Sequence, residues 1–295
     1  MRQDHKLLSL VTRCVECAGN TMTPGADALV CGACGYRYEF SDDGVLRALP
    51  RTSELRVPAF YQSRFYRRWM SAWEDMVQKG WVIYERPFYR FFSMSGHRKM
   101  RSLIAGLPHP PEVIVDIGCG DGQLFDLLDQ RRCIGIDRNA AFLTRVKHRY
   151  PDVLAVQADF NNLPFAPGSI ACCTSAHVLE HLYHLAEGLE EVRRVLAPAG
   201  AFIFSIPTEG GWGWELGRLL VTGPRLRRNY RLNVHEVMAI EHINDARRVL
   251  QFARFYFDIR MKKYAPLSFL PVMAINSSIT VLASPLAGDH ELRPE

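Results

Sequence analysis

The chain lacks any uninterrupted apolar run of 18 or more residues, so no transmembrane segment is expected. Its most apolar window, Ala265 to Pro285, is broken by Pro271, Asn276, Ser277 and Ser278 and reads as a loop followed by a sheet strand. No secretory leader is expected either, since Met1 to Leu10 carries Arg2, Asp4, His5 and Lys6 and no apolar core. There is no internal repeat and no low-complexity run. The charge excess is small, a formal +5, which permits an anionic partner without demanding nucleic acid. What remains is a globular composition, 48% hydrophobic and 23% charged over 295 residues. That is enough for one α/β domain and a small appendage.

Eight cysteines are present, and four of them form paired knuckles, Cys14-x-x-Cys17 and Cys31-x-x-Cys34. Four soft ligands on two turns suit a tetrahedral Zn²⁺ ion, and glycines at 32 and 35 allow the tight turn. With every ligand position taken by a thiolate, the metal has no site left for water and reads as structural. Without a leader, the pairs favour metal over disulfides and a cytoplasmic location. Cys119, Cys133, Cys172 and Cys173 are scattered.

Three textures divide the chain: a cysteine-rich zinc ribbon over 1–50, an aromatic-rich helical lid over 51–110, and a domain over 111–295 in which apolar strands alternate with amphipathic helices. Strands are expected at 113–117, 133–136, 153–156, 170–174 and 202–206, with two more near 258–264 and 278–283. Helices are expected at 123–132, 140–149 and 177–196. The last has Val178, Leu182, Leu185, Leu189, Val192 and Leu196 at helical spacing and Pro198 and Gly200 as its stop. This alternation implies right-handed βαβ crossovers, a doubly wound sheet and a ligand at the strands' C-terminal ends.

The string Val113-Ile-Val-Asp-Ile-Gly-Cys-Gly-Asp-Gly122 puts glycines where a strand turns into a helix. Backbone can approach a ligand closely there. The spacing is G-x-G-x-G rather than G-x-G-x-x-G, and Asp116 ends the strand. A carboxylate at that turn repels a pyrophosphate but attracts the ammonium and sulfonium of S-adenosylmethionine. Asp137, 21 residues on, ends the second strand and can accept from both ribose hydroxyls. Asp159 ends the third and can accept from an adenine amino group, with Phe160 covering the ring. The expected donor site is Asp116, Gly118, Cys119, Gly120, Gly122, Asp137, Arg138, Asp159 and Phe160.

These residues resemble the ubiquinone/menaquinone-type class I methyltransferases over roughly residues 100–285. The likeness rests on Asp116-Ile-Gly-Cys-Gly-Asp-Gly122, Gly135-Ile-Asp137, Ala158-Asp159 with Leu163-Pro164-Phe165, Val178-Leu-Glu-His-Leu182 and Glu191 to Gly200. It implies an α/β, Rossmann-like, doubly wound, mostly parallel sheet of seven strands with the last antiparallel. It also implies donor-binding roles for Asp116, Gly118, Gly120, Asp137 and Asp159. Ala171 departs from it, standing where the family usually has Asp. The string from Leu29 to Tyr38, followed by Gly44-Val-Leu and Leu49-Pro50, is similar to small zinc-ribbon activators of methyltransferases. A ribbon fused in cis is expected to brace the acceptor side.

Candidate bases follow the fourth strand: His177, Glu180, His181 and His184, with His177 and His181 the expected catalytic residues. His177-x-x-Glu180-His181 also resembles a divalent-metal cluster of some quinone O-methyltransferases, which have an acid where His177 stands. Residues 55–102 hold 12 of the 32 aromatics, among them Phe60, Tyr61, Tyr66, Trp69, Trp73 and Trp81. They read either as packing between lid helices and ribbon or as a wall over an apolar or sugar-like acceptor. An insertion over 208–244 holds Glu209-Gly-Gly-Trp212, the arginines 225, 227, 228 and 231, Asn233-Val-His-Glu236 and Glu241-His242. Its arginines could hold phosphate or form a solvated face. The Ser205-Ile-Pro-Thr-Glu-Gly-Gly and Glu241-His-Ile-Asn strings are similar to methyltransferases of surface-polysaccharide pathways. The expected acceptor is a small molecule, a glycan or a lipid-linked intermediate. An RNA methyltransferase is the alternative, disfavoured by the lack of an N/D-P-P-Y/F string and of a dense basic stripe. A non-catalytic donor-binding module is a third reading, which the intact donor acids oppose.

Overall fold

A computed structural model describes residues 6–25, 28–51, 63–78, 87–208, 211 and 218–286. Phe60, Tyr61, Trp81, Glu209, Gly210 and Trp212 lie outside them. The described strands join in one sheet of eleven, in the order β1 (Met22–Pro24), β2 (Ala28–Cys31), β3 (Arg37–Phe40), β4 (Leu46–Arg47), β7 (Leu154–Gln157), β6 (Cys133–Asp137), β5 (Ile114–Ile117), β8 (Ile170–Ala176), β9 (Leu196–Pro207), β11 (Ser278–Pro285), β10 (Phe257–Ala265), of which β5 to β11 make seven within residues 111–295. Its centre is β5 (Ile114–Ile117), β6 (Cys133–Asp137), β7 (Leu154–Gln157), β8 (Ile170–Ala176) and β9 (Leu196–Pro207), all mutually parallel. The edge strand β10 (Phe257–Ala265) pairs antiparallel with β11 (Ser278–Pro285), which itself runs antiparallel to β9. All four residues of β5 are buried, as expected of a strand covered on both faces.

The additional strands come from the N-terminal segment. The hairpin strands β1 (Met22–Pro24), β2 (Ala28–Cys31) and β3 (Arg37–Phe40) lead to β4 (Leu46–Arg47). β4 pairs parallel with β7, Leu46 opposite Val156, and the Ala48 N–H continues the ladder onto Gln157 O at 2.8 Å. Leu7, Val11, Leu29, Tyr38 and Leu46 join Leu154, Val156, Leu163 and Phe165 in a single apolar core. The ribbon therefore covers the β7 edge, not the acceptor side, because its last strand supplies the unsatisfied edge N–H and C=O groups with partners.

Helices α1 (Arg64–Gln78), α2 (Pro87–Ala105), α3 (Ala140–Arg149), α4 (Leu185–Val195), α5 (Gly223–Tyr230), α6 (Val234–Glu241) and α7 (Ala246–Tyr256) complete the framework. Side-chain caps start three of them: Asn139 accepts from Ala141 N–H, Asn233 from His235 N–H and Asp245 from Arg248 N–H. α1 buries Trp69, Ala72 and Met76 against Leu226, Leu232, Val234 and Val237 of the insertion, so these lid aromatics pack on the insertion rather than on the ribbon. α2 covers the sheet with Met100, Leu103 and Ile104 against Ile114, Cys172 and Ile203. Arg227, Arg228 and Arg231 are exposed and Arg225 is half-buried, a largely solvated basic face. Among the described residues, no helix is long and apolar enough to cross a membrane.

Two expected helices break. Residues 123–132 form two 3-10 turns, Gln123–Leu127 and Gln130–Arg132, split at the extended Leu128. Residues 177–196 form a 3-10 turn, Leu179–His181, and only then α4. His177 has φ 56°, and its N–H donates to Ser205 O at 2.8 Å, anchoring it to β9. The buried Asn244 side chain donates to Leu179 O (3.1 Å) and Leu182 O (2.7 Å), while its backbone N–H donates to Glu180 O. Carbonyls that helix N–H groups would have taken are satisfied from across the fold, so the apolar periodicity does not set the winding there.

Candidate functional site

The strand ends bring the expected acids together. Asp116, 2% exposed at the end of β5, accepts from the Thr174 hydroxyl at 2.7 Å. Burial pushes its carboxyl up to about 6; the Thr174 bond opposes that shift and the Asp137 charge adds to it. Asp137 is also raised by burial, against the pull of the Asn139, Gly120 and Arg138 backbone. Its two oxygens accept from Gly120 N–H at 2.9 Å and Asn139 N–H at 2.8 Å, so it clasps the glycine turn to the end of β6.

The three glycines do different work. A Cβ on Gly118 (φ 75°) would lie 2.4 Å from Val178 Cγ2, and one on Gly122 (φ 82°) would lie 2.8 Å from both Phe125 and Tyr150. Both are demanded by the fold itself. A Cβ on Gly120 (φ 53°) would meet nothing within 4 Å among the described residues, so this residue faces open space there. Cys119 turns its side chain into the core beside Phe125 and Leu143, leaving only backbone toward the turn.

Asp159 is already engaged: Arg138 Nη1 donates to Oδ2 at 2.8 Å and Asn161 N–H to Oδ1 at 2.9 Å. Arg138 thus meets Asp159 rather than standing alone at the site. Phe160 belongs to the main core, packed where a Cβ on Gly188 would lie 3.0 Å from its ring. The loop carrying them is held by the ribbon. Asn162 donates to Val15 O at 2.9 Å and accepts from Arg13 Nη1 at 2.5 Å, and Arg13 N–H donates to Pro164 O at 3.3 Å.

The 3-10 turn Leu179–His181 gathers a titratable group. Glu180, 2% exposed, has Oε1 at 3.7 Å from His177 Nδ1 and 3.9 Å from His181 Nε2, and its Oε2 has no hydrogen-bond partner among the described residues. Burial alone would raise its carboxyl, yet His177, His181 and His242 together hold it below its ordinary value. His181 Nδ1 lies 2.7 Å from Glu241 O, and the His181 and His242 rings meet edge to face at 4.7 Å. Trp69 Nε1 donates to Glu241 at 2.6 Å. Ligand atoms of Glu180, His181 and His242 fall within 4.8 Å of one another, so His242 stands where the sequence pattern has His177. His184 lies apart, paired with the exposed Glu187.

His97 on α2, buried and with its ring 6.2 Å from that of His177, went unforeseen, as did Thr174. Neither sits in a motif; α2 meets β8 and β9 only through tertiary packing. Ser205 and Ser278 complete the same floor, their hydroxyls 2.8 and 3.4 Å from a Cβ built on Gly96.

The four ribbon thiols lie within 4.8 Å of one another and none is in a disulfide. Cys14 and Cys34 sulfurs are 3.7 Å apart and Cys17 and Cys31 sulfurs 3.6 Å apart. A tetrahedral ion with bonds of ~2.3 Å spaces its sulfurs about 3.8 Å apart. Ala18 (φ 60°) and Gly35 (φ 72°) turn the two knuckles, and the buried Tyr38 hydroxyl accepts from Val15 N–H and donates to Arg13 O.

Residues 115–204 match the family model described as a methyltransferase domain. A probable S-adenosylmethionine-dependent methyltransferase of Mycolicibacterium smegmatis is 29% identical over 168 residues, 56% of this chain and 54% of the relative. A trans-aconitate 2-methyltransferase of Acidovorax sp. is 32% identical over 42% of this chain and 50% of its own. An S-adenosylmethionine-dependent methyltransferase structure from Mesorhizobium loti shares 20% identity over 63% of this chain and 96% of its own, with a TM-score of 0.44. The chain spans about half or less of the length of the first curated relatives it matches.

Proposed function

We propose that the protein transfers the methyl group of S-adenosylmethionine to a small-molecule, glycan or lipid-linked acceptor, and that its ribbon holds a structural Zn²⁺ ion in the cytoplasm. One observation carries this reading: a buried carboxylate, Asp116, stands behind a glycine turn whose middle residue, Gly120, faces open space. A phosphate-bearing nucleotide would be repelled there and an ammonium attracted. Asp137 supports the same ligand. Its carboxylate clasps Gly120 and Asn139, yet each oxygen keeps a further lone pair for a ribose hydroxyl. Asp159 shares its charge with Arg138 and Asn161, so adenine recognition there would use the lone pairs left over. Cys14, Cys17, Cys31 and Cys34 would hold the metal, which supplies cross-linking of the two knuckles and no chemistry.

Methyl transfer is an in-line displacement at a carbon activated by its sulfonium, so positioning accounts for much of the rate. His177 and His181 are the bases available to a protonated nucleophile. Each has a ring nitrogen within 4 Å of the Glu180 carboxylate. The test is an acceptor screen with radiolabelled donor on small-molecule, glycan, lipid and RNA fractions. Transfer to RNA alone overturns the acceptor assignment, and absence of donor binding overturns the whole reading. Should His177→Ala and His181→Ala both keep wild-type turnover, neither is the base.

The Asp116 carboxyl adds a pH signature. In the free protein its folded value, about 6, lies above the ordinary 3.8. The folded state therefore keeps a proton that the unfolded chain has lost, and its stability falls as pH rises through that window. A cationic donor needs the ionised form. Titration calorimetry should show affinity rising up to about tenfold per pH unit from about pH 5 to about pH 6, then levelling. Asp116→Asn should bind weakly and without this slope. A flat wild-type profile would remove Asp116 from the site.

A further inference from the structure

The loop between β10 and β11, residues 266–277, leaves Phe269, Leu270, Val272 and Ile275 exposed, Phe269 by 77%. Four large apolar side chains in seven residues are not the scattered exposure that any surface shows. Nor is the loop slack. Buried Asn276 donates to Leu270 O (2.7 Å) and Val272 O (3.0 Å) and accepts from Leu267 N–H (2.8 Å). The Thr208 hydroxyl donates to Asn276 O, and Ser268 donates to Tyr264 O. The backbone is braced from inside, and the apolar side chains are held outward.

The surroundings are basic. Lys99 of α2 donates to the Ser268 hydroxyl, and Lys262 and Lys263 end the strand that enters the loop. No Asp or Glu occurs from residue 87 to 111 or from 259 to 286. Arg260 is paired with Asp258.

We propose that this rim docks on an anionic lipid surface, the apolar loop entering the headgroup boundary and the lysines meeting the phosphates. Apolar tips ringed by cations are complementary to such a surface. A second copy fits less well, because an isologous contact would set Lys99, Lys262 and Lys263 against themselves. RNA fits less well, since Leu, Val and Ile offer no stacking face. The loop springs from the active-site end of the sheet, where Ala265 pairs with Ser278 and Ser278 with Pro207. Two residues before Pro207, Ser205 O holds the His177 N–H. Docking would thus set the acceptor opening against the membrane, and the acceptor would be lipid-borne; this last step rests on the methyltransferase reading.

The test is flotation of the full chain with vesicles of phosphatidylcholine alone and of phosphatidylcholine mixed with phosphatidylglycerol, with donor affinity measured on the same material. The protein should float with the mixed vesicles and be released by salt. Phe269→Asp with Val272→Asp should lose flotation at unchanged melting temperature. Lys262→Glu with Lys263→Glu should weaken it by roughly fivefold or more per lysine. Equal flotation of the aspartate variant, no flotation of the wild type, or a dimer that the same variant dissolves would each overturn the proposal. Flotation without donor binding would leave docking standing and remove the methyltransferase reading instead.

Discussion

Gly120→Ala is expected to keep the protein folded and to remove most of its affinity for S-adenosylmethionine, whereas Gly118→Ala is expected to damage the fold. The two glycines stand two residues apart in one turn, both at positive φ, but meet different surroundings. At Gly118 a methyl would overlap Val178 at 2.4 Å, beside the turn that carries Glu180 and His181. Left-handed strain and overpacking together cost roughly 2–5 kcal/mol. That corresponds to a fall in melting temperature on the order of 10 °C. At Gly120 only the strain remains, about 1–2 kcal/mol, because no atom of the described residues lies within 4 Å of the added carbon. If the donor occupies that space, its affinity should drop by about 10- to 100-fold, the equivalent of ~1–3 kcal/mol of overpacking. Calorimetry and thermal melts on the pair separate the two effects. Wild-type donor affinity in Gly120→Ala would mean that the open space is not the ligand's.

Removing the Zn²⁺ proposed for the four thiols should have consequences well beyond them. The knuckle residue Cys14 is flanked by Arg13 and Val15, which hold Asn162 and Pro164 of the loop carrying Asp159. Arg13 also approaches Glu191 at 3.9 Å, and Glu191 accepts from Leu163 N–H and from Arg194. A structural zinc site contributes directly to folding energy. Chelation, or Cys31→Ser, should therefore release β4 from β7 and loosen the Asp159 loop. We expect about one zinc per chain by elemental analysis. We also expect metal-free protein to melt on the order of 10 °C lower and to bind donor more weakly. Asn162→Ala should reproduce the loss of donor affinity with the metal still bound, which distinguishes a brace on the loop from general unfolding. Metal-free protein with unchanged melting and unchanged donor affinity would sink the idea.

Asp116, Asp137 and Asp159 were legible because each sits where a short apolar strand stops, and strand ends in a doubly wound sheet share one edge. The cysteine pairs were legible because ligand spacing within a knuckle is local. Helical periodicity misled at 177–196. Val178 and Leu182 fit the apolar stripe, but Asn244, some sixty residues away, takes the carbonyls that a helix would have used. The separate roles of the three glycines could not be read from their spacing. Gly118 and Gly122 answer to Val178, Phe125 and Tyr150, and only Gly120 to empty space.

By itself the sequence determined the alternation of strands and helices, the three carboxylates at strand ends and the four-thiol knuckles. These depend on chemistry within a few residues and on periodicities of two and 3.6. Tertiary structure alone decided that the ribbon extends the sheet at β7 and braces the Asp159 loop. It alone gathered Glu180 with His177, His181 and His242, and it alone bared the 266–277 loop. Each depends on which distant backbone groups satisfy one another, and local pattern carries no information about partners so far apart along the chain.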